Sequence, residues 1–361
     1  MKQMLHDMHH LWQTKLSFKM AASFLLLLLL LVLILPWLPL PFAPNHLDLD
    51  HLFSPPFPGA NTSEATHWLG TDVLGRDVLT EMLYGARTGL FISIPVVVLA
   101  TAIGLVLGAA AGFYGDTRLK TSRATLLLLP LLLSLLFYLG IYLPLQIRKY
   151  ELDRNDIVLC WAMLLVITSV MLLGLRPLLQ KVSWFSHKKT FPLDMVVMRL
   201  IEIVSSVPWL ILVLVLASFM PSSVMLLSTI LILTYWTTTA RLARAEMLRI
   251  KAMPYMEAGY SMGFTKARLL LKEALPNLLG PVLIAVSYGI AGLLTLESTL
   301  SFLSIGLPPT VVSWGRTITG IRSNTAAWWL VAFPGGFLAL TVLALQIFSY
   351  SLQSILRKKK L

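Results

Sequence analysis

The chain has 361 residues, of which 57% are hydrophobic and only 13% charged, with a mean hydropathy of +0.78. Soluble domains carry about 25% charged residues, so this composition excludes an ordinary water-soluble fold, and recurrent runs of about 20 apolar residues predict an all-α polytopic membrane protein. The net charge of +12 comes with no basic domain large enough to hold nucleic acid and fits Lys and Arg gathered in cytoplasmic loops.

Residues 1–20 form a cytoplasmic leader whose His6, His9 and His10 have helical metal-ligand spacing, read here as three histidines on a tail. The first span, 21–42, follows Lys15 and Lys19. It is longer than the apolar core of a signal peptide and no small-x-small cleavage site follows, so it reads as a retained anchor. Residues 43–86 are an acid-leaning, proline-rich external loop with a weak sequon at Asn61-Thr62-Ser63. It ends in a charge cluster of Asp72, Arg76 and Asp77. This cluster braces an outer gate, meets an external protein or pairs with itself at a helix start; the sequence leaves all three open.

The second span, 90–113, carries Gly104, Gly108 and Gly112 four apart, which lines one helix face for close packing. Spans at 124–145 and 157–179 form a hairpin flanked by Arg118, Lys120 and Arg123 before it and Arg176, Lys181, Lys188 and Lys189 after it. Those flanks place both its ends in the cytoplasm. Spans at 195–220, 222–240, 277–305 and 326–352 bring the total to eight, and a basic tail, 353–361, places both termini inside. The single cysteine, Cys160, lies in an apolar run, so neither a disulfide frame nor a thiolate metal site is expected, and no metal centre is assigned.

In this topology the loop from Arg241 to Lys272 is cytoplasmic and strongly basic. Within it, PYMEAGYSMGFTKARLLLKEALPN (254–277) predicts a short helix opened by Pro254 and ended at Gly263 by a left-handed cap. Thr265 caps a second helix leading to Pro276. The arrangement is either a solvated connector or a rigid handle for a soluble partner.

Glu257-Ala258-Gly259, three residues, Gly263, and later Leu275-Pro276 resemble the EAA loop of ABC importer permeases. Two positions depart from that pattern: Gly259 stands for the second alanine, and Glu273 for an often-apolar position. HWLGTDVLGRDVLTEMLYGART (67–88), LDMVVMRLIEIVSSVPWLIL (193–212) and SFLSIGLPPTVVSWG (301–315) resemble segments of the oligopeptide/dipeptide/nickel permeases, in the C-type subunit. The resemblance implies a core of about six transmembrane helices, 87–116 and 193–352, with 117–192 as an inserted two-helix hairpin. That hairpin packs on a partner, binds lipid, recruits a subunit or is a neutral addition facing lipid.

The resemblance further implies a second permease, two ATPase subunits, an extracytoplasmic substrate-binding protein and surrounding membrane lipid, with di- or oligopeptide as cargo. Nickel or another small solute is the alternative within the family. No G-x-x-x-x-G-K-[ST] phosphate loop is present, so ATP-Mg is expected in the partner ATPases, with no cofactor and no catalytic residue here. Glu257, Ala258, Gly259, Gly263, Leu275 and Pro276 are the expected coupling residues. In that role Glu257 orients the short helix through a basic partner or a neighbouring N–H, and Gly263 supplies a turn that a side chain would obstruct.

Glu297, late in a span, is a functional candidate by position, or a structural partner of Arg316, Arg322 or Arg87. With Asp72, Arg76 and Asp77 it makes up the expected external gate or binding-protein contact. Ser205, Ser206, Thr234, Tyr235 and Trp236, with Thr237 and Thr238, are pathway candidates or packing groups. A self-sufficient secondary transporter is the competing class; it predicts paired intramembrane charges and broken helices in repeats. A membrane enzyme would need a cluster of reactive groups, and none is visible.

Overall fold

The computed structural model describes residue 13 and residues 15–57, 67–144 and 154–358. The leader histidines, the Asn61 sequon, residues 146–153 of the hairpin turn and the last three residues of the tail lie outside the described residues. The chain divides into two compact units: Met1–Phe113 with Arg199–Leu361, and Tyr114–Met198. The insertion expected at 117–192 falls inside the second unit.

The first unit opens with α1 (Leu16–Ile34), a run of leucines with few buried positions. Next comes α2 (Val78–Tyr114), 37 residues long with Pro95 inside. In the second unit, β1 (Lys120–Ser122) pairs antiparallel with β2 (Lys188–Thr190) and clasps the base of the hairpin. Between the strands run α3 (Arg123–Phe137), α4 (Arg154–Ser169), α5 (Arg176–Gln180) and a single turn, α6 (Ser183–Ser186). Ser122 caps α3 by accepting from the Thr125 N–H and takes a 2.9 Å bond from Gln180 Nε2. Wide π turns extend α3 over Tyr138–Tyr142 and join α4 to α5 over Val170–Leu175. The apolar side chains of α4 point almost wholly outward, which is stable only against lipid or another protein.

The chain continues through α7 (Leu193–Ser205) and α8 (Trp209–Ser218), then α9 (Val224–Lys251), α10 (Pro254–Ser261) and α11 (Lys266–Arg268). It ends with α12 (Leu275–Phe302), α13 (Trp314–Thr319) and α14 (Trp329–Lys358). The core has two faces. On one, Ile92 and Val96 of α2 pack with Val213 of α8, Leu227 and Leu231 of α9, and Leu293 and Leu300 of α12. On the other, Leu28 and Val32 of α1 meet Ala86 and Leu90 of α2, Leu294 of α12 and Leu345 of α14. Both clusters share α2 and α12, so these two helices are the spine of the unit.

Among the described residues, six helices are long and apolar enough to cross a membrane: Leu16–Trp37, Val78–Tyr114, Arg123–Gly140, Asn155–Gln180, Lys266–Phe302 and Trp329–Ser354. Two expected spans differ. The one at 195–220 is broken: α7 and α8 meet at a 72° bend across Ser206-Val207-Pro208, because Pro208 cannot continue the hydrogen-bond ladder and disfavours helix in the residue before it. The one at 222–240 lies in α9, whose 28 residues reach about 42 Å at 1.5 Å per residue. Its threonines and arginines leave it too polar to qualify by composition.

α2 and α9 touch through backbone. A Cβ on Gly104 would stand 2.5 Å from Trp236 O, and one on Gly108 2.2 Å from Ala240 O. The glycine stripe is a packing groove, cut for one neighbour.

Candidate functional site

Three places bring the expected residues together, beginning with the loop after α9. α10 starts at Pro254, and Glu257 lies in its first turn, where a carboxylate favours the positive end of the helix. The helix ends at Gly263 with φ +77°. The Gly263 N–H donates to Tyr260 O (3.0 Å), and the Phe264 N–H to Gly259 O (3.0 Å), which satisfies the last carbonyls. Thr265 Oγ1 accepts from the Arg268 N–H at 3.3 Å and caps the next element.

α11, a π turn at Leu269–Ala274 and α12 run on as one rod, Lys266–Phe302. Pro276 therefore does not end the basic helix. It sits just after the π turn, whose wider winding accommodates a residue without an N–H.

Met256 and Leu269, both fully buried, anchor α10 to the rod. Gly259 is buried between them, and a Cβ there would lie 2.6 Å from Leu269 Cδ2. The departure from alanine thus has a local reason, which is the closeness of helix and rod. Gly263 has a different one. No atom lies within 4 Å of a Cβ built there, so its left-handed backbone, and not crowding, selects glycine. Glu257 and Ala258 are exposed, as are Tyr255 and Met262. The Glu257 carboxylate has no bond or ion pair among the described residues, where the expected bond to a neighbouring N–H is not formed. Leu275 and Pro276 open α12.

The second place is a cleft of about 370 Å³ at the α7–α8 break. Ser205, Thr234, Tyr235, Thr237 and Thr238 line it, joined by Pro208, Trp209 and Arg241. The Arg241 guanidinium donates to the Ser205 hydroxyl, and Trp209 and Tyr235 stand 6.5 Å apart, ring to ring. Gly289 of α12 leaves room for the Tyr235 hydroxyl, which would be 2.6 Å from a Cβ. Two candidates fall elsewhere: Ser206 turns its hydroxyl back to Ile203 O (2.7 Å), and Trp236 is buried, its carbonyl against Gly104. Arg241 and Trp209 were not expected. Pro208, in the middle of an apolar run, is the sequence signal that a break would expose both.

The third place is outside the opposite end of the core helices. Asp72 accepts from Arg76 Nε (2.8 Å) and from the backbone N–H groups of Leu74 and Arg76 (2.8 and 2.9 Å). Asp77 caps α2, accepting from the Thr80 N–H and hydroxyl at 2.9 Å each. The Arg76 guanidinium also reaches Glu81 at 4.0 Å. All four side chains are buried, and the cluster pairs with itself at the start of α2.

Glu297, 1% exposed, accepts from Ser313 (2.7 Å), Ser301 (2.8 Å) and Ser298 (3.4 Å). The expected ion pair is replaced by three hydroxyls, and none of the three arginines is bonded to it. Arg316 donates to Pro308 O (2.9 Å) and Val311 O (3.2 Å), while Arg322 lies over Phe302 and Arg87 over Phe91. Burial, with the Arg76 charge nearby, lowers the Arg316 pKa from its ordinary value, and Glu81 and Glu297 oppose the shift. Glu297 thereby ties α13 to α12 at a crossing where a Cβ on Gly315 would be 1.9 Å from Ser298 O.

Comparison with known proteins bears on the same segments. A family described as "Binding-protein-dependent transport system inner membrane component" matches residues 182–361. A putative peptide permease protein of Brucella suis is 27% identical over 309 residues, 85% of this chain and 75% of that protein. The dipeptide transport system permease protein DppC of Bacillus subtilis is 25% identical over 297 residues, 82% of this chain and 69% of its own. The oligopeptide transport system permease protein OppC of the same organism is 24% identical over 294 residues, 81% and 72% of the two chains.

Proposed function

Because the chain belongs to the family of binding-protein-dependent transport system inner membrane components, we propose that it is one of two permeases of an ATP-driven peptide importer. Peptide as cargo rests on the names of the relatives, which are peptide, dipeptide and oligopeptide permeases. In this reading a second permease completes the pathway, two ATPase subunits bind the cytoplasmic face and hydrolyse ATP-Mg, and an external binding protein delivers substrate. The chain is multi-pass in the inner membrane with both termini cytoplasmic, is surrounded by lipid, and engages no nucleic acid.

One observation carries the reading: α10 is exposed on its outer face, holds a carboxylate with no partner among the described residues, and is fixed to a rod that runs on into the core. A permease of an ATP-driven importer that carries no phosphate loop receives its energy through contact, and a short helix with Met256 buried beneath it transmits force where a floppy loop would not. When the ATPases close, α10 moves with them and turns α9 and α12. These helices carry Tyr235, Arg241 and Gly292 of the cleft. The bend at Ser206–Pro208 lets α7 and α8 respond separately, giving rigid-body alternating access. Arg241 and the hydroxyls suit the carboxylate and amide groups of a peptide backbone.

The broken helix alone also fits a self-sufficient secondary transporter, in which α10 has no role. Purification of the chain from its native membrane, followed by peptide uptake in proteoliposomes, separates the two. The importer reading predicts co-purifying permease and ATPase subunits and uptake that requires ATP inside, whereas uptake by the isolated chain on an ion gradient would establish the other class.

A further inference from the structure

Away from α10 and the cleft, the external segment gathers three metal-ligand side chains that the sequence keeps apart. Asp48 Oδ2 lies 2.9 Å from His51 Nδ1 and 3.3 Å from His67 Nε2, and the three donor atoms all fall within 4.8 Å of one another. A tetrahedral Zn²⁺ about 2.0–2.2 Å from each ligand holds neighbouring donors about 3.3 Å apart. The existing spacings are therefore within a small side-chain rotation of a coordination sphere. The His51 side chain is 42% exposed.

His67 is held as a ligand is held. It is 5% exposed, its ring stacks on Phe42 at 4.0 Å between centroids, and Nδ1 lies 3.1 Å from Asp77 Oδ1. Asp77 is itself fixed by Thr80 at the start of α2. A carboxylate behind one imidazole nitrogen sets the tautomer and aims the other nitrogen at a metal.

Both ring nitrogens of His67 thus face carboxylate oxygens, Nδ1 that of Asp77 at 3.1 Å and Nε2 that of Asp48 at 3.3 Å. A neutral imidazole has a single N–H for these two acceptors, and a cation held between Nε2 and Asp48 Oδ2 satisfies the second. The backbone beside them is equally constrained: Gly75, at φ +73°, would place a Cβ 1.7 Å from Asp48 O, and the Thr71 hydroxyl donates to His51 O.

We propose that Asp48, His51 and His67 bind one borderline divalent cation of the Zn²⁺ class, with Asp77 as the positioning residue behind His67 and water completing the sphere. Two nitrogens and one carboxylate oxygen suit Zn²⁺, and set Ca²⁺ and Mg²⁺, which take oxygen cages, at a disadvantage. The ion fastens residues 48–51 to the turn that begins α2, and so clips the external segment to the outer end of the core. The clip is independent of the cargo and of the ATPase contact, and the absence of any cysteine from it explains why a thiolate search in the sequence passes over it.

The test uses the full chain, purified without a histidine tag, stripped with chelator and titrated with Zn²⁺ and, for its visible spectrum, Co²⁺. The proposal predicts one Zn²⁺ per chain, a tetrahedral Co²⁺ spectrum, and at least tenfold weaker binding in both His51→Ala and Asp48→Asn. Both variants are expected to melt with the wild type in chelator, since His51 is only partly buried and Asp48 keeps its shape as Asn. A variant with His6, His9 and His10 all replaced by alanine must bind as well as the wild type. Loss of binding there, unchanged binding in His51→Ala, or failure of the wild type to retain Zn²⁺ would each overturn the proposal.

Discussion

The two ends of the α2–α12 spine are built on opposite principles. At the end where α2 begins, Asp72, Arg76, Asp77 and Glu297 are buried and each has its partners inside the chain: backbone N–H groups, a guanidinium, a helix start, three serines. At the end where α12 begins, Glu257 is exposed on α10 with no bond to its carboxylate among the described residues. Buried charge without partners is costly, so the first end must be self-sufficient to fold at all. Exposed charge costs little, so the second can be left open to another protein. Under the proposed function, the difference separates residues that hold the permease together from those that connect it to its partners.

Substitutions at the two ends should therefore fail in different ways. The largest effect on stability is expected from Arg76→Ala, which strands Asp72 in the interior; breaking such a pair costs about 3–5 kcal/mol, to be read as loss of the monodisperse folded peak and a large fall in Tm. Glu297→Ala removes an acceptor from three hydroxyls, at about 1–3 kcal/mol. Glu297→Gln keeps an acceptor and should retain most stability and uptake. Abolished uptake in a stable Glu297→Gln protein would turn Glu297 from a structural tie into a proton- or ion-handling group.

Gly263→Val forces a β-branched residue into a left-handed backbone at about 1–2 kcal/mol. Its main effect is expected on coupling, with ATP hydrolysis continuing and peptide uptake lost. Smallest in stability is Glu257→Ala, expected within about 0.5 kcal/mol of wild type yet with weakened retention of ATPase subunits. If Glu257→Ala instead unfolds the chain while Arg76→Ala is harmless, the division of labour is reversed.

Much of this contrast was legible in the sequence. Apolar run length located the spans, and Pro254, Gly263 and Thr265 fixed the ends of α10 and the start of the rod from local backbone chemistry alone. What was missed depended on neighbours distant in the chain. Gly259 reads as a weak point in a helix until Leu269 is seen pressed against it. Glu297 reads as half an ion pair, although Ser298 and Ser301 follow it on its own helix; the third hydroxyl, Ser313, comes from beyond a turn. Pro208 was visible, but the 72° bend that opens the cleft to Arg241 and Trp209 depends on how α7 and α8 pack. Pro276 misled in the other direction, since the π turn before it lets the rod continue.

The central claim is that α10 is the surface through which another protein's work enters the core, and proximity tests it most directly. Met262 is 65% exposed at the end of α10, and the one native thiol, Cys160, is buried and replaceable by alanine. With Met262→Cys in that background, a short bifunctional cross-linker applied to native membranes should yield one product containing an ATPase subunit, with its yield changing on addition of ATP. Phe219→Cys, exposed at the end of α8, should give none. An ATPase that co-purifies and drives uptake but never cross-links from position 262 would contradict the account and place the energy-receiving contact elsewhere.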